Sequence, residues 1–413
     1  MYKKTLSMCC AIALTSAVSV GAMADGIPVL HIADFSGPTS DIGTPYGTGV
    51  ADTLKWVNAT GGINGKQLDF ETFDYGYKAP QAIALYKKAM SKNKLVALQG
   101  WGTADTEALV GFVAKDKVFT MSASFSAHLT DPKGMSERTQ KPAPYNFFYG
   151  PSYSDGCRGL VSYASEDWKK SGKSGKPTFV HMGANHPYPN APKEACGAYA
   201  EEMGFTVANP IVYSMAPGDF KAQCLTLKDS GANYAYLGNT AGSNISIVKA
   251  CGTVGVDTKF LANVWGWGIN AIKTTGEGGE GVVFVNSTAS WNDKAPGMKL
   301  VREVSKMSSD SDDYRSVHYI RGICAAMNMI DGMKLADKNG SLDGEGLKAA
   351  LESFSNYVPK GLEGVCLPST WTDEDHRGMT DVLVYQTSWN NGNPTMTKVH
   401  EANLPRRADW LGW

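Results

Sequence analysis

Residues 28–73 read PVLHIADFSGPTSDIGTPYGTGVADTLKWVNATGGINGKQLDFETF, and this stretch decides the fold class. The apolar run at its start, residues 28–33, predicts a β-strand. Residues 44–59 predict a helix, which a glycine pair then ends. Residues 67–73 predict a second strand. A strand, a helix and a strand in this order are typical of a parallel α/β sheet.

The same alternation continues along the whole chain and restarts after Gly150-Pro151. It predicts an α/β fold with two Rossmann-like lobes, each built on a parallel sheet and joined by a hinge of about three crossovers. A chain of 413 residues is also longer than one compact core usually covers. We expect lobe I to comprise residues 25–150 and 284–364, and lobe II to comprise residues 151–283 and 365–413.

The N-terminus has the three parts of an export signal. Lys3 and Lys4 supply positive charge, residues 11–20 are apolar, and residues 22–24 form an A-x-A cleavage site. The sequence therefore predicts a cleaved signal peptide over residues 1–24 and a mature protein in the periplasm.

Two other roles for this segment are less consistent with the sequence. A membrane anchor would need a longer apolar stretch to span a bilayer. A lipid anchor on Cys9 or Cys10 would need the apolar run before these cysteines, but it follows them.

Cysteine usage predicts disulfides. Of the eight cysteines, two leave with the signal peptide, and an even number in an oxidising compartment favours three disulfides. Sequence alone does not choose the pairing, but sequential pairing would cross-link neighbouring α/β units and is the one we expect. Metal binding is the competing interpretation, and no C-x-x-C spacing supports it. The six are Cys157, Cys196, Cys224, Cys251, Cys324 and Cys366.

Charge and motifs exclude several function classes. With 39 basic and 40 acidic residues, the chain is not basic enough for nucleic acid. It has no G-x-S-x-G, Walker A or H-E-x-x-H motif. Ser91-Lys-Asn-Lys94 matches S-x-x-K, but at the end of a polar helix where exposed lysines are ordinary. We therefore expect no catalytic residues, no metal and no cofactor.

A glycine-rich loop follows the strand predicted at residues 94–99. Its sequence, Gly100-Trp-Gly-Thr-Ala-Asp105, opens a helix, where backbone amides can hold an anion. Asp105 stands where a dinucleotide fingerprint has its third glycine. The loop therefore predicts a site for a carboxylate or another small oxygen-rich group rather than for a nucleotide.

Several short segments match a known family in order. They are FSGP (35–38), Gly43, WVNATGGING (56–65), Asp74, SASFSAHLT (122–130), HPY (186–188) and PGDF (217–220). Together they resemble the branched-chain amino-acid (Leu/Ile/Val) type of periplasmic solute-binding protein of ABC importers, over nearly the whole mature chain. The resemblance implies the type I periplasmic binding fold, in which a hinge closes two lobes over a solute in the cleft between them. Ligands of open α/β sheets do bind beyond the carboxyl ends of the strands.

The resemblance also implies which loops bind the solute. Two loops of lobe I would offer amides and hydroxyls, and Tyr188 would close over the solute from lobe II. A serine or threonine at such a turn can instead be only a helix cap, and Tyr188 can instead brace its own loop. With the aromatic residues considered next, the predicted site is Trp101, Gly102, Thr103, Ala104, Ser122, Ala123, Ser124, Phe125, Tyr188, Asn239, Thr240, Trp265 and Trp267.

Two departures from the family pattern bear on the solute. Phe125 stands where many members have threonine, which puts one hydroxyl contact to a carboxylate in question. Residues 263–268 (NVWGWG) stand where the amino-acid binders place a glutamate for the ammonium. Because a buried ammonium without a partner is costly, a classical branched-chain amino-acid binder is disfavoured.

That segment contains Trp265 and Trp267. Together with Trp101 and Phe125, these tryptophans predict an aromatic-rich cleft that suits an aromatic acid, an amide or another polar planar solute. A cation over the ring faces is an alternative, as are tryptophans that only fill the core.

The function that follows is the periplasmic solute-binding component of an ABC-type importer. As a monomer, the protein would capture a small polar solute (an aromatic acid, an amide or an amino-acid-like molecule) by hinge closure and pass it to the permease subunits. A second hypothesis is a ligand sensor that presents its closed form to a receptor or regulator. A periplasmic enzyme on a similar scaffold is the third, and it lacks a nucleophile with a base or a metal cluster.

Overall fold

The computed structural model describes residues 26–413, so the predicted signal peptide over residues 1–24 lies outside the described residues. Two β-sheets, each flanked by helices, form the frame. The first is a five-stranded parallel sheet in the order β2-β1-β3-β4-β5. Its strands are β1 (Ile27–Ala33), β2 (Leu68–Asp74), β3 (Ala97–Gln99), β4 (Phe119–Ser122) and β5 (Asn146–Phe148), and the intervening helices are α1 (Ser40–Ala59), α2 (Ala79–Lys92) and α3 (Thr103–Asp116).

The second sheet has eight strands. Its order is β13-β12-β11-β10-β9-β6-β7, with β8 paired to β6. The strands are β6 (Thr178–Gly183), β7 (Thr206–Val207), β8 (Ile211–Val212), β9 (Tyr234–Leu237), β10 (Lys259–Ala262), β11 (Val283–Val285), β12 (Asp381–Asn390) and β13 (Asn393–Asn403). Its helices are α4 (Tyr153–Ser171), α5 (Pro187–Asn190), α6 (Lys193–Glu202), α7 (Lys221–Asp229), α8 (Ala241–Thr253) and α9 (Ile269–Thr275).

The predicted α/β fold with parallel sheets in two lobes is confirmed, with one exception at the edge of the second sheet. There β12 pairs antiparallel with both β11 and β13. The connection is the two-residue turn Asn391-Gly392, and both residues have positive φ (50° and 86°). Asn-Gly is the sequence that favours such a turn, because its twist matches that of a β-hairpin.

Three more helices lie between β11 and β12, and they pack on the first sheet and its helix α1. They are α10 (Met298–Ser305), α11 (Val317–Lys338) and α12 (Gly344–Glu352). Helices α11 and α1 approach each other closely: a Cβ on Gly49 would lie 2.2 Å from the carbonyl oxygen of Tyr319, and one on Gly322 would lie 2.3 Å from that of Tyr46. Only glycine permits this backbone contact.

The chain passes between the two sheets after β5, after β11 and again before β12. Strand β11 ends at Val285, close to the boundary expected at residue 283. The exact lobe boundaries remain a prediction. Within residues 26–413, no helix is long and apolar enough to cross a membrane.

The three disulfides have the sequential pairing that we expected. Cys157–Cys196 joins α4 to α6, Cys224–Cys251 joins α7 to α8, and Cys324–Cys366 joins α11 to the segment before β12. Each therefore cross-links neighbouring elements and is buried in the core.

Candidate functional site

The loops that follow the parallel strands of both sheets meet between the lobes and enclose a cleft. The cavity in this cleft has a volume of about 10 Å³, which is about the room that one water needs. Both lobes contribute to its walls, and most of the wall residues are aromatic. The lining residues are Thr39, Tyr77, Trp101, Gly102, Ala123, Tyr153, Tyr188, Thr240 and Trp265.

Trp265 lies at the centre of a group of packed rings. Its ring centroid is 5.2 Å from those of both Trp101 and Phe125, and 5.6 Å from that of Tyr46. Trp101 and Tyr46 meet it edge to face, which is a favourable geometry for aromatic pairs. All of these rings are at least nine-tenths buried. The centre of the cleft is therefore a buried aromatic cluster.

The polar groups of these aromatic residues bond to the protein itself. Trp265 Nε1 donates to the Tyr153 hydroxyl at 3.0 Å, and Trp101 Nε1 donates to Thr39 Oγ1 at 2.9 Å. The Tyr188 hydroxyl donates to Asn263 Oδ1 at 2.9 Å. These bonds fix the ring orientations and leave mainly ring faces and edges toward the cleft.

The start of α3 was predicted to hold an anionic group, but in this structure side chains occupy its amides. Gly102 N donates to Asp105 Oδ2 at 3.2 Å, and the backbone of Thr103 hydrogen bonds the Tyr77 hydroxyl. Asp105 also accepts a bond of 2.7 Å from the Tyr75 hydroxyl. Burial raises the pKa of Asp105 to about 7 despite these bonds. Asp105 therefore caps the N-terminal end of α3.

The loop after β4 reaches the cleft only in part. Ser122 Oγ bonds to Thr106 Oγ1 at 2.8 Å and accepts from Ser124 N at 2.9 Å, and Ser124 Oγ donates to Thr103 Oγ1 at 2.8 Å. These buried hydroxyls bind the loop to α3 and do not line the cavity, contrary to the expected role of Ser122 and Ser124. Of this loop, Ala123 lines the cavity, and Phe125 packs behind Trp265.

Two predicted residues of the second lobe also lie outside the cavity. Asn239 accepts from Ala184 N at 2.9 Å and donates to Ser214 O at 3.0 Å, so it braces two loops. Trp267 donates to Thr387 Oγ1 at 3.1 Å and lies in the core of the second lobe. Trp265 and Trp267 leave their loop in different directions, so only Trp265 reaches the cleft. On the first lobe, Ala104 does not line the cavity either.

Sequence reasoning missed several residues of the site, above all Tyr46, Tyr77 and Tyr153. Tyr153 had a visible signal, because it opens a helix directly after the Gly150-Pro151 passage between the lobes. Tyr46 and Tyr77 had none. Tyr77 lines the cavity and Tyr46 packs on Trp265, and both positions depend on how the loop after β2 and helix α1 pack.

Arg321 is a buried cation directly behind the cleft. Its guanidinium lies 4.7 Å from the Trp265 ring centroid and donates to Val264 O at 3.1 Å and to Ser287 Oγ at 3.2 Å. Burial lowers its pKa to about 10, so it stays protonated at neutral pH. No carboxylate forms an ion pair with it within residues 26–413. Arg321 thus joins α11 of the first lobe to the loops after β10 and β11 of the second.

Asp41 makes a second contact between the lobes. Its carboxylate, at the start of α1, accepts from Thr240 Oγ1 at 3.1 Å and from Gly242 N at 2.6 Å, at the start of α8. The negative charge therefore lies at the N-terminal end of α8, where the helix dipole favours it. Burial raises the pKa of Asp41, partly offset by these hydrogen bonds.

Comparison with known proteins gives a family match along most of the chain. A family model described as "Periplasmic binding protein" matches residues 26–393. Leu/Ile/Val-binding protein homolog 4 of Brucella melitensis is 19% identical over 378 residues, which are 91% of this chain and 87% of that protein. The leucine-specific-binding protein of Salmonella typhimurium is 37% identical over 75 residues, 18% of this chain and 20% of that one.

Solved structures with the same fold are described with different ligands. A substrate-binding protein of an ABC transporter from Aeropyrum pernix has a TM-score of 0.81 at 24% identity, covering 94% of this chain and 98% of the other. A branched-chain amino acid ABC transporter protein from Thermus thermophilus with bound valine has a TM-score of 0.80 at 20% identity, covering 93% and 97%. A fatty acid ABC transporter substrate-binding protein from Thermomonospora curvata has a TM-score of 0.77 at 17% identity, covering 92% of both chains. Fold similarity therefore does not identify the solute.

Proposed function

The chain belongs to the periplasmic binding protein family, and on this premise we propose that it is the periplasmic solute-binding component of an ABC-type importer for a small planar solute. Three structural neighbours are described as belonging to ABC transporters, which supports this role. Such a protein binds without a catalytic step, as the sequence led us to expect. In this role the protein acts as a monomer that delivers its solute to permease subunits.

The observation that carries the proposal is the group of rings contributed by both lobes. Trp101 and Tyr77 come from the first lobe, and Tyr188 and Trp265 come from the second. Rings on both sides of a cleft bury a flat molecule over both of its faces, and stacked aromatic pairs gain about 1 kcal/mol beyond burial alone. An aromatic acid, an amide or an amino-acid-like molecule with a planar group fits this description.

The charges around the cavity disfavour an ordinary α-amino acid. Among the described residues that line the cavity there is no carboxylate to pair with an ammonium group. Desolvating an unpaired ammonium costs several kcal/mol. The nearest buried cation, Arg321, instead lies behind Trp265 and favours electron-rich or negatively charged solutes.

The size of the cavity requires the lobes to separate before a solute enters. About 10 Å³ holds no molecule larger than water. The three passages of the chain between the lobes supply a hinge, and hinge closure is how two-lobed proteins enclose a ligand. Because the cavity seen here has no room for a solute, the solute-bound arrangement is more open than this one, and it would present the surface that a permease recognises.

A tryptophan-fluorescence titration tests the proposed solute class. We expect benzoate or benzamide to change the emission and to bind at least about tenfold more tightly than leucine, isoleucine or valine, because only planar molecules use the ring faces. Tight binding of branched-chain amino acids alone would contradict the proposal.

A further inference from the structure

A second cavity lies between the lobes, and it is lined by His318, which packs against Trp265 of the aromatic cleft. Its volume is about 140 Å³. The starts of α1 and α11 line it from the first lobe, and α8 with the loop before α9 lines it from the second. We call this cavity the side chamber. Its wall toward the aromatic cleft includes His318, whose ring centroid is 5.7 Å from that of Trp265.

His318 offers the side chamber a hydrogen-bond donor. Its Nδ1 lies 2.9 Å from Arg321 Nη1, and because a guanidinium only donates, Nδ1 accepts and the ring proton is on Nε2. The side chain is 5% exposed, and Nε2 has no hydrogen-bond partner within residues 26–413. Burial and Arg321 both lower the pKa of His318, so the ring stays neutral. With no partner there, this N–H can donate to an acceptor on a ligand in the side chamber. Ser316 Oγ, in the same lining, is a buried hydroxyl without a partner within residues 26–413, and such a group points to a ligand that completes its hydrogen bonds.

Asp41 offers an acceptor on the same chamber. Its two oxygens already accept from Thr240 and Gly242, but a carboxylate has about four acceptor sites. Ile42, Ile245 and Trp267 supply apolar wall between these polar groups. Trp267, expected from the sequence in the main cleft, thus lines this chamber instead.

We propose that the side chamber is a second binding site, distinct from the aromatic cleft, for a small uncharged amide with a branched alkyl group. The amide oxygen accepts from His318 Nε2, the amide N–H donates to Asp41, and the alkyl group contacts Ile42 and Ile245. A carboxylate is disfavoured by Asp41, and an ammonium is disfavoured by Arg321 behind His318. In other proteins a cavity of roughly 150 Å³ holds a benzene-sized molecule, so the volume fits six or seven heavy atoms.

Calorimetric titration with isobutyramide tests the site, with two variants of the same helix. Ile245→Trp fills the chamber, and we expect it to weaken isobutyramide binding at least about tenfold. Lys249→Trp places the same side chain on the exposed face of α8, and we expect a dissociation constant within about twofold of the wild type. Equal affinity in Ile245→Trp and the wild type, or no binding at millimolar concentrations, would overturn the proposal.

Two analogues and a crystal soak test the assigned polar contacts. 3-Methyl-2-butanone has the same shape but no N–H, and we expect it to bind about fivefold more weakly than the amide. Isobutyrate should bind more weakly still.

In crystals soaked with isobutyramide, its oxygen should lie within hydrogen-bond distance of His318 Nε2. Equal binding of the ketone, or density for the amide only in the aromatic cleft, would refute the site. Because isobutyramide has no ring, failure of the planar-solute proposal would leave these outcomes unaffected.

Discussion

His31 illustrates how a single buried residue sets the pH dependence of stability. It lies in β1, an interior strand of the first sheet, is fully buried, and bonds through Nδ1 to Thr72 Oγ1 at 3.0 Å. Burial lowers its pKa to about 3, from 6.5 in the unfolded chain. Between these values the unfolded state binds the proton more readily, so the stability that the neutral ring contributes is complete above pH 6.5 and is lost as the pH falls.

We therefore predict that His31→Asn, which keeps a polar atom near Thr72 but does not titrate, flattens this dependence. Urea unfolding at pH 7 and pH 5 should show that the wild type loses about 2 kcal/mol more than the variant over this interval. Thr72→Val removes the hydrogen bond but keeps the imidazole, and it should retain the wild-type slope. Equal slopes for His31→Asn and the wild type would contradict this explanation.

Individual site residues were predictable where a local pattern revealed them. The two tryptophans of residues 263–268 and the missing glutamate there were visible in the sequence, and Trp265 does lie at the centre of the cleft. Arg321 was not predictable, because it sits in an apolar helix whose pattern indicates only core. Its position behind Trp265 depends on how α11 packs against the loops after β10 and β11.

At the scale of elements, the Asp41 carboxylate joins α1 of the first lobe to the start of α8 in the second. We predict that Asp41→Asn weakens binding of the planar solute in the aromatic cleft by about three- to tenfold, because the charge at the start of α8 stabilises the closed arrangement. Thr240→Val removes only the longer of the two hydrogen bonds and should have a smaller effect. Calorimetry measures both affinities. Unchanged affinity in Asp41→Asn would show that this contact does not contribute to closure.

The disulfides are a second prediction at this scale. Each closes a loop of 27 to 42 residues, and removing such a bond costs about 3 kcal/mol. We expect the paired change Cys324→Ser with Cys366→Ser to lower the melting temperature by several degrees in differential scanning calorimetry. The wild-type protein, with its disulfides reduced by dithiothreitol, should show at least this decrease in melting temperature. Equal melting temperatures would mean that packing alone holds α11 in place.

Most strands and helices were predictable, and the exceptions have local physical causes. Residues 206–213 (TVANPIVY) have the apolar pattern of a single strand, but they form two short strands, β7 and β8, separated by Pro210. Proline has no N–H for a sheet hydrogen bond, so it interrupts the pairing. The polar C-terminal segment has a strand-like pattern, but the antiparallel direction of β12 and β13 depends on the Asn391-Gly392 turn between them.

For the whole molecule, periodicity predicted two lobes, but the composition of the cleft depends on contacts between them. The loops after β3 and β10 are far apart in sequence, yet Trp101 and Trp265 are ring neighbours. The hydroxyls of Ser122 and Ser124 matched the family pattern, yet they bond within the first lobe. Sequence patterns predict the order of the elements. Contacts between residues that are far apart in sequence decide which side chains face the cleft.

The central claim is that a planar solute binds between the lobes against Trp265. Calorimetric titration with benzoate or benzamide, whichever binds more tightly, tests it most directly, with Trp265→Leu compared with Trp168→Leu. Trp168 lies on α4 away from the cleft and donates to Gly175 O. Circular dichroism first establishes that Trp265→Leu is folded. We predict that this variant binds the solute at least about tenfold more weakly, because it lacks the ring that stacks on the solute. The dissociation constant of Trp168→Leu should stay within about twofold of the wild type. Undiminished affinity in folded Trp265→Leu would contradict the account.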